Sequence, residues 1–152
     1  MSIRFLKSAA AMLLAMAPMI AAAETPQERT NIRNVEAFYD AAINTKDFSA
    51  ARSYIGDRYI QHNPTAPDGI KGLQGFVSFL RTKFPKSHSD IVQAFADGNY
   101  VILHVHSVRV PATRGRAIVD IFRLDDHGKV VEHWDVIQDI PEKSANANTM
   151  FQ

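Results

Sequence analysis

Three titratable side chains in the second half of the chain, His104, His106 and Asp120, have the types and spacing for proton chemistry. His104 and His106 are two apart, so on a β-strand they share a face. Asp120 alternates with Ile118 and Phe122 in an otherwise apolar run. A lone carboxylate on an apolar face is costly unless it is paired. A pocket walled by apolar groups with a few convergent polar ones accounts for it. An ordinary Asp, with a pKa of about 3.9, is a weak base near neutrality, but apolar surroundings raise that value. A partly desolvated Asp120 bonded to neutral His106 can shuttle a proton to and from carbon next to a carbonyl. The expected catalytic pair is therefore Asp120 and His106. His104, Trp134 or Asn63 would donate to the developing enolate oxygen, and Ile118 and Phe122 would line the wall. His62 is expected at the pocket mouth or as a loop anchor. The competing reading is a buried, satisfied pair that only holds the sheet together.

Other chemistries fit less well. His104-x-His106 with Asp120 has ligand types suited to zinc or iron. The acid that a double-stranded barrel motif needs shortly after His-x-His is missing from Ser107-Val108-Arg109-Val110. No metal and no cofactor are expected. A Ser-His-Asp triad fails because Ser107 points away from His106 and no nucleophile elbow is present. With no cysteine in the chain, thiolate catalysis, disulfides and Cys-ligated zinc are excluded.

Placing these residues requires strands and turns. A hairpin centred on Thr113, in the loop at 111–115, sets His106 opposite Asp120 and His104 opposite Phe122, with Cβ atoms roughly 4.5–5.5 Å apart. A three-residue turn at 126–128 brings Trp134 beside Asp120. A two-residue turn at 127–128 brings Asp135 there instead, because a one-residue slip flips the face. The longer turn is preferred, which puts His133 and Asp135 on the outer face. Arg116 begins the Asp120 strand and could reach an anionic substrate.

The rest of the chain supplies a scaffold. Residues 25–47 read as an amphipathic helix, opened by Thr25-Pro26-Gln27-Glu28 as a capping box with proline at the first helical position. Residues 48–55 read as a shorter helix ended by Gly56. Residues 59–64 form an extended piece closed by Pro64. Residues 71–84 form a third helix stopped by Pro85. Four strands follow at 89–96, 100–110, 116–124 and 130–140, separated by turn signals. Helices first and a strand meander second argue for an α+β fold with helices on one face of an antiparallel sheet.

Length and charge set the remaining bounds. A chain of 152 residues suggests one domain, and 17 Lys+Arg against 16 Asp+Glu give a net charge of +1. That balance offers no broad basic surface for nucleic acid. Residues 1–23 combine Arg4 and Lys7 with an uncharged alanine-rich run and Ala21-Ala22-Ala23, the pattern of a cleaved export signal. The apolar run is shorter than the about 20 residues of a membrane span. Cleavage would leave residues 24–152 as a periplasmic or secreted protein with no stable membrane anchor.

Four segments carry a family likeness: Tyr59-Ile60-Gln61-His62-Asn63-Pro64, Leu103-His104-Val105-His106, Asp120-Ile121-Phe122-Arg123, and Gly128 to Val136 with His133-Trp134-Asp135. In this order and spacing the chain resembles the SnoaL-like group of the nuclear transport factor 2-like (NTF2-like) superfamily, from about Thr30 to Phe151. The ending Asn146-Ala147-Asn148-Thr149-Met150-Phe151 resembles a subgroup of predicted aldol-condensation enzymes. The resemblance implies a cone-shaped α+β fold, with a curved sheet wrapped around three helices and one cavity. Polyketide cyclases of the family use an Asp as acid/base in aldol closure, and Asp120 matches it. His106 matches their pocket histidine, while His104 stands where they carry a different polar group. The resemblance also implies a homodimer through the outer sheet face and a small apolar or carbonyl-containing partner. Function is then a cofactor-independent lyase or isomerase, or a non-catalytic periplasmic binder with the same cavity.

Overall fold

The computed structural model describes residues 23–152; the export signal expected at 1–23 lies, but for Ala23, outside them. Helix α1, Pro26–Tyr39, is opened by its capping box. The Glu28 N–H donates to the Thr25 hydroxyl at 3.1 Å, and the Thr25 N–H donates to the Glu28 carboxylate at 2.7 Å. Its apolar stripe, Val35, Phe38 and Tyr39, is buried. The expected helix to residue 47 is not regular throughout. A π-helical turn, Asp40–Asn44, takes over after Tyr39, a feature often found at functional sites. Asp47 caps α2, Phe48–Arg52, by accepting the Ser49 and Ala50 N–H groups. This helix stops before residue 55, because Ile55 and Gly56 open strand β1, Ile55–Gln61. Helix α3 spans Gly69–Lys83.

The expected four-strand meander is present as β2, His88–Asp97, β3, Tyr100–Val108, β4, Arg116–Leu124, and β5, Val130–Asp139. It gains a fifth strand: β1 lies parallel to β5, with Gln61 beside His133, and the sheet order is β1-β5-β4-β3-β2. The result is the mixed α+β fold with a curved, open sheet expected from the sequence. Helix α1 is tied to two hairpin turns of this sheet. Buried Asn31 donates to the Gly98 carbonyl at 3.0 Å, and Asn34 donates to the Gly128 carbonyl at 2.9 Å. Between helix and sheet lies the core, with Val35, Phe38, Leu103, Phe122, Leu124 and Val130 essentially inaccessible to water.

Two registers differ from expectation, and both move functional side chains. In the β3–β4 hairpin Ser107 pairs with Arg116, His106 with Ala117 and Leu103 with Asp120. Strand β3 ends at Val108, so Arg109 and Val110 belong to the loop. That loop needs left-handed backbone at Ala112 and Gly115, with φ of 66° and 79°. Only glycine fits at 115, where a Cβ would stand 2.4 Å from the Ser107 carbonyl oxygen. The register moves by an odd number of residues, so His104 and His106 turn to the face opposite Asp120. In the β4–β5 hairpin Leu124 pairs with Val130, as a turn centred on His127 requires. A β-bulge follows at once, and beyond it Asp135, not Trp134, lies opposite Asp120.

Candidate active site

The concave side of the sheet and the helices enclose a cavity of about 790 Å³, within the range of small-molecule sites. Inner positions of β4 contribute Ile118, Asp120 and Phe122 to its wall, and inner positions of β5 contribute His133, Asp135 and Ile137. Strand β1 adds Tyr59 and Gln61, the following loop adds Asn63, and the end of α1 adds Tyr39.

Asp120 is the buried carboxylate of this wall, with 4% of the residue exposed. One of its oxygens lies 2.9 Å from His133 Nε2. The other, Oδ2, is buried and has no hydrogen-bond partner. The imidazole lies between Phe122, stacked at 4.7 Å, and Tyr59, stacked at 6.4 Å. Its Nδ1 lies 3.1 Å from Gln61 Oε1. The Gln61 amide is oriented by the Asn63 backbone N–H, which donates to the same Oε1 at 2.9 Å, while Gln61 Nε2 donates to the Tyr59 hydroxyl at 3.3 Å. An oxygen facing Nδ1 requires a proton on Nδ1. Nε2 then either accepts a proton from the Asp120 carboxyl or, as imidazolium, donates to its carboxylate.

Burial is the main reason the Asp120 carboxyl is held above its ordinary pKa of 3.8; the His133 hydrogen bond and charge oppose this, the Asp135 carboxylate adds to it, and the neighbouring Tyr39 hydroxyl opposes it least. Asp135 is bridged by Asn63, whose Nδ2 donates to its two oxygens at 2.7 and 2.8 Å. Asn63 Oδ1 in turn accepts from the Thr65 N–H and hydroxyl. Burial, and then the Asp120 charge, push the Tyr39 and Tyr59 hydroxyls well above the ordinary value for a phenol, so both stay protonated. The Tyr59 oxygen accepts from Gln61, which leaves its proton free to donate into the cavity.

Of the residues expected at the site, Asp120, Asn63, Ile118 and Phe122 line the cavity. The Asp120–His106 pairing is overturned. His106 lies on the outer face, its Nε2 at 2.9 Å from the Arg114 carbonyl and its ring 4.5 Å from that of Phe151. His104 faces the same way, 5.5 Å from the Phe151 ring. Trp134 is also an outer residue, stacked on His62 at 4.5 Å, and His62 lies 2.8 Å from Glu132. Conversely, His133 and Asp135, expected outside, face inward. They move with the bulge, and Gln61 joins them only because β1 pairs with β5. The segment His133-Trp134-Asp135 marked the neighbourhood, but no local signal placed the bulge.

Asp120, His133 and Asp135 offer ligand atoms within 4.8 Å of one another, the one such group of three among the described residues. The donor types suit a divalent cation. A cation would have to displace the Asn63 amide from Asp135 and divide Asp120 from His133, so the existing bonds favour a proton network.

The model of the SnoaL-like domain matches residues 35–133. No curated protein matches the chain. Among solved structures, a protein from Jannaschia sp. CCS1 with the provisional name SnoaL-like polyketide cyclase superposes with a TM-score of 0.62 at 21% identity, over 77% of this chain and 91% of that one. TsrD from Streptomyces laurentii gives 0.60 at 18% identity, over 72% and 89%. A protein provisionally named polyketide cyclase from Acidithiobacillus ferrooxidans gives 0.60 at 21%, over 71% and 87%. At these identities the superpositions establish the shared fold.

Proposed function

Because the chain belongs to the SnoaL-like family, we propose that it is a cofactor-independent lyase or isomerase acting on a small carbonyl compound, with Asp120 as acid/base and His133 as its partner. The observation that carries this reading is Asp120 itself, a residue of the cavity wall whose Oδ2 is buried without a hydrogen-bond partner while its other oxygen is held by His133. Oδ2 takes a proton from the carbon next to the carbonyl. The C–H electron pair becomes the enolate double bond, and the carbonyl π pair moves to oxygen. Protonated Tyr39 or Tyr59 donates to that oxygen. The proton then returns from Asp120 either to the far carbon of an enolate conjugated with a C=C bond, which is isomerisation, or to the alkoxide oxygen formed when the enolate carbon bonds to a second carbonyl carbon and that carbonyl's π pair moves to its oxygen. A carboxyl held above 3.8 by burial is a better base near neutrality than a free one. Provisional names of structural neighbours, polyketide cyclase and isomerase, fit the same chemistry.

The test is hydrogen–deuterium exchange at the α-carbon of small ketones, followed by NMR. Exchange catalysed by the wild type and lost in Asp120→Asn supports the mechanism. Tight binding with no Asp120-dependent exchange points to the binding protein instead.

Two further proposals concern the whole protein. Residues 1–23 act as an export signal, so the working chain starts near Glu24; N-terminal sequencing of exported protein checks this. The outer sheet face pairs two copies. It exposes Phe95, Ile102, Val119 and Val136, the last 69% accessible, a patch that a soluble monomer would rarely present. Sedimentation at micromolar concentration should show a dimer that Val136→Lys weakens. A monomeric wild type rules this out.

A further inference from the structure

At one end of the cavity the wall changes character. Ser89 and Ser107 face each other across β2 and β3, their hydroxyls 2.9 Å apart, and Ser107 lies opposite Arg116 on β4. Arg109 follows Ser107 by two residues, and Ser87 precedes Ser89 by two. All five line the cavity. Ser87 Oγ is buried and has no hydrogen-bond partner; among the described residues it and Asp120 Oδ2 are the two such atoms, and both belong to this cavity.

The two arginines are not equivalent. Arg116 Nε reaches Asp139 at 3.0 Å, but Asp139 is 82% exposed, and such a pair holds a guanidinium weakly. Arg109 has no carboxylate within ion-pair distance among the described residues. Its half-buried guanidinium lies over the rings of Phe76 and Phe84, 5.9 and 5.8 Å from their centroids. Burial, and next the neighbouring Arg116 cation, disfavour its charge. A planar donor fork held by two rings, without its acceptor, is prepared for a carboxylate.

We infer that the substrate is a carbonyl compound that also bears a carboxylate, with the carboxylate bound by Arg109, Arg116 and the Ser87 hydroxyl while the carbonyl end lies at Asp120. Arg116 and Asp120 are four residues apart on one strand, a Cα separation of roughly 13 Å. The arginine side chains shorten that span, so the two groups of the substrate are separated by several bonds. A 2-oxo acid is too short to reach both ends. The inference rests on the acid–base reading of Asp120 only for which end holds the carbonyl.

The experiment uses 5-oxohexanoate, 7-oxooctanoate and 4-acetylbenzoate, each beside its methyl ester, with the wild type, Arg109→Gln and Asp120→Asn. Calorimetry reads binding, and deuterium exchange next to the ketone reads turnover. The expected result is that at least one acid binds the wild type more tightly than its ester, and that Arg109→Gln weakens that acid about 10- to 100-fold while leaving the ester unchanged. Unchanged ester binding also shows that the variant is folded. Should Arg109→Gln not fold, Arg116→Gln carries the same acid–ester comparison. Equal binding of acids and esters, equal losses for both in the variant, or no binding of any acid at millimolar concentration overturns the inference. Acid preference without Asp120-dependent exchange leaves the carboxylate site standing and sinks the acid–base reading alone.

Discussion

The two faces of the sheet carry the same residue types and put them to different use. On the inner face an Asp–His pair, Asp120 and His133, has side-chain exposures of 6% and 10%. On the outer face a Glu–His pair, Glu132 and His62, has its histidine 39% exposed. The contact lengths are nearly equal, at 2.9 and 2.8 Å. The carboxyl pKa values nevertheless move in opposite directions. Burial dominates at Asp120 and raises it. At Glu132 the His62 bond dominates, supported by Arg123, and lowers it. Proximity of an acid and an imidazole therefore does not define a catalytic pair. What distinguishes the inner pair, and what the proposed acid–base role relies on, is removal from water, which raises the basicity of the acid, together with a carboxylate oxygen that has no hydrogen-bond partner.

The largest expected effect that could break this contrast is catalytic. Asp120→Asn should lower α-carbon exchange about 10²- to 10⁴-fold, whereas Glu132→Gln should leave it within about twofold. Equal losses would mean that the inner pair has no special role. Next in size is the contrast between histidines. Loss of His133 to Phe should lower the exchange rate about 100-fold, while His106→Ala, on the far face, should lower it little. A reversal of that order would remove His133 as the partner of Asp120.

Smaller effects separate the pairs by pH. For Asp120 the folded pKa lies above the ordinary 3.8, so as pH rises through the interval between them the unfolded chain ionises first. Its contribution to stability is present below 3.8 and falls as pH rises through the raised folded value. Urea denaturation across this interval should show less of that decline in Asp120→Asn, which should be no less stable than the wild type at pH 7. For Glu132 the sign is opposite: its contribution is present above 4.5 and is lost as pH falls through the lowered folded value. Since His62 is well exposed, Glu132→Gln should cost no more than about 1 kcal/mol at pH 7, measured the same way.

Most elements could be read from the chain because their signals are local. The Thr25–Glu28 box opens α1, and β4 occupies the expected residues 116–124. Asp120 stood out as a charge in an apolar strand, and it does line the cavity. What could not be read was which strand residues face each other. Proline and glycine located the β3–β4 loop but not the point at which β3 stops pairing, and that point decides the face of His104 and His106. The turn centre at His127 correctly pairs Leu124 with Val130. The bulge just beyond it depends on tertiary packing, since both Val130 and Val131 are buried. The approach of Gln61 to His133 is a parallel pairing between strands far apart in sequence, for which no turn gives a clue.

The central claim is that Nε2 of His133 engages Asp120 while Nδ1 carries the proton that faces Gln61. Nitrogen-15 NMR of the His133 ring in the wild type and in Asp120→Asn, at one pH near neutrality, tests it most directly. Nδ1 is expected to carry a proton in the wild type, and replacement of Asp120 is expected to change the Nε2 resonance far more than that of Nδ1. A ring protonated only at Nε2, or an Nε2 resonance unchanged in Asp120→Asn, would contradict it.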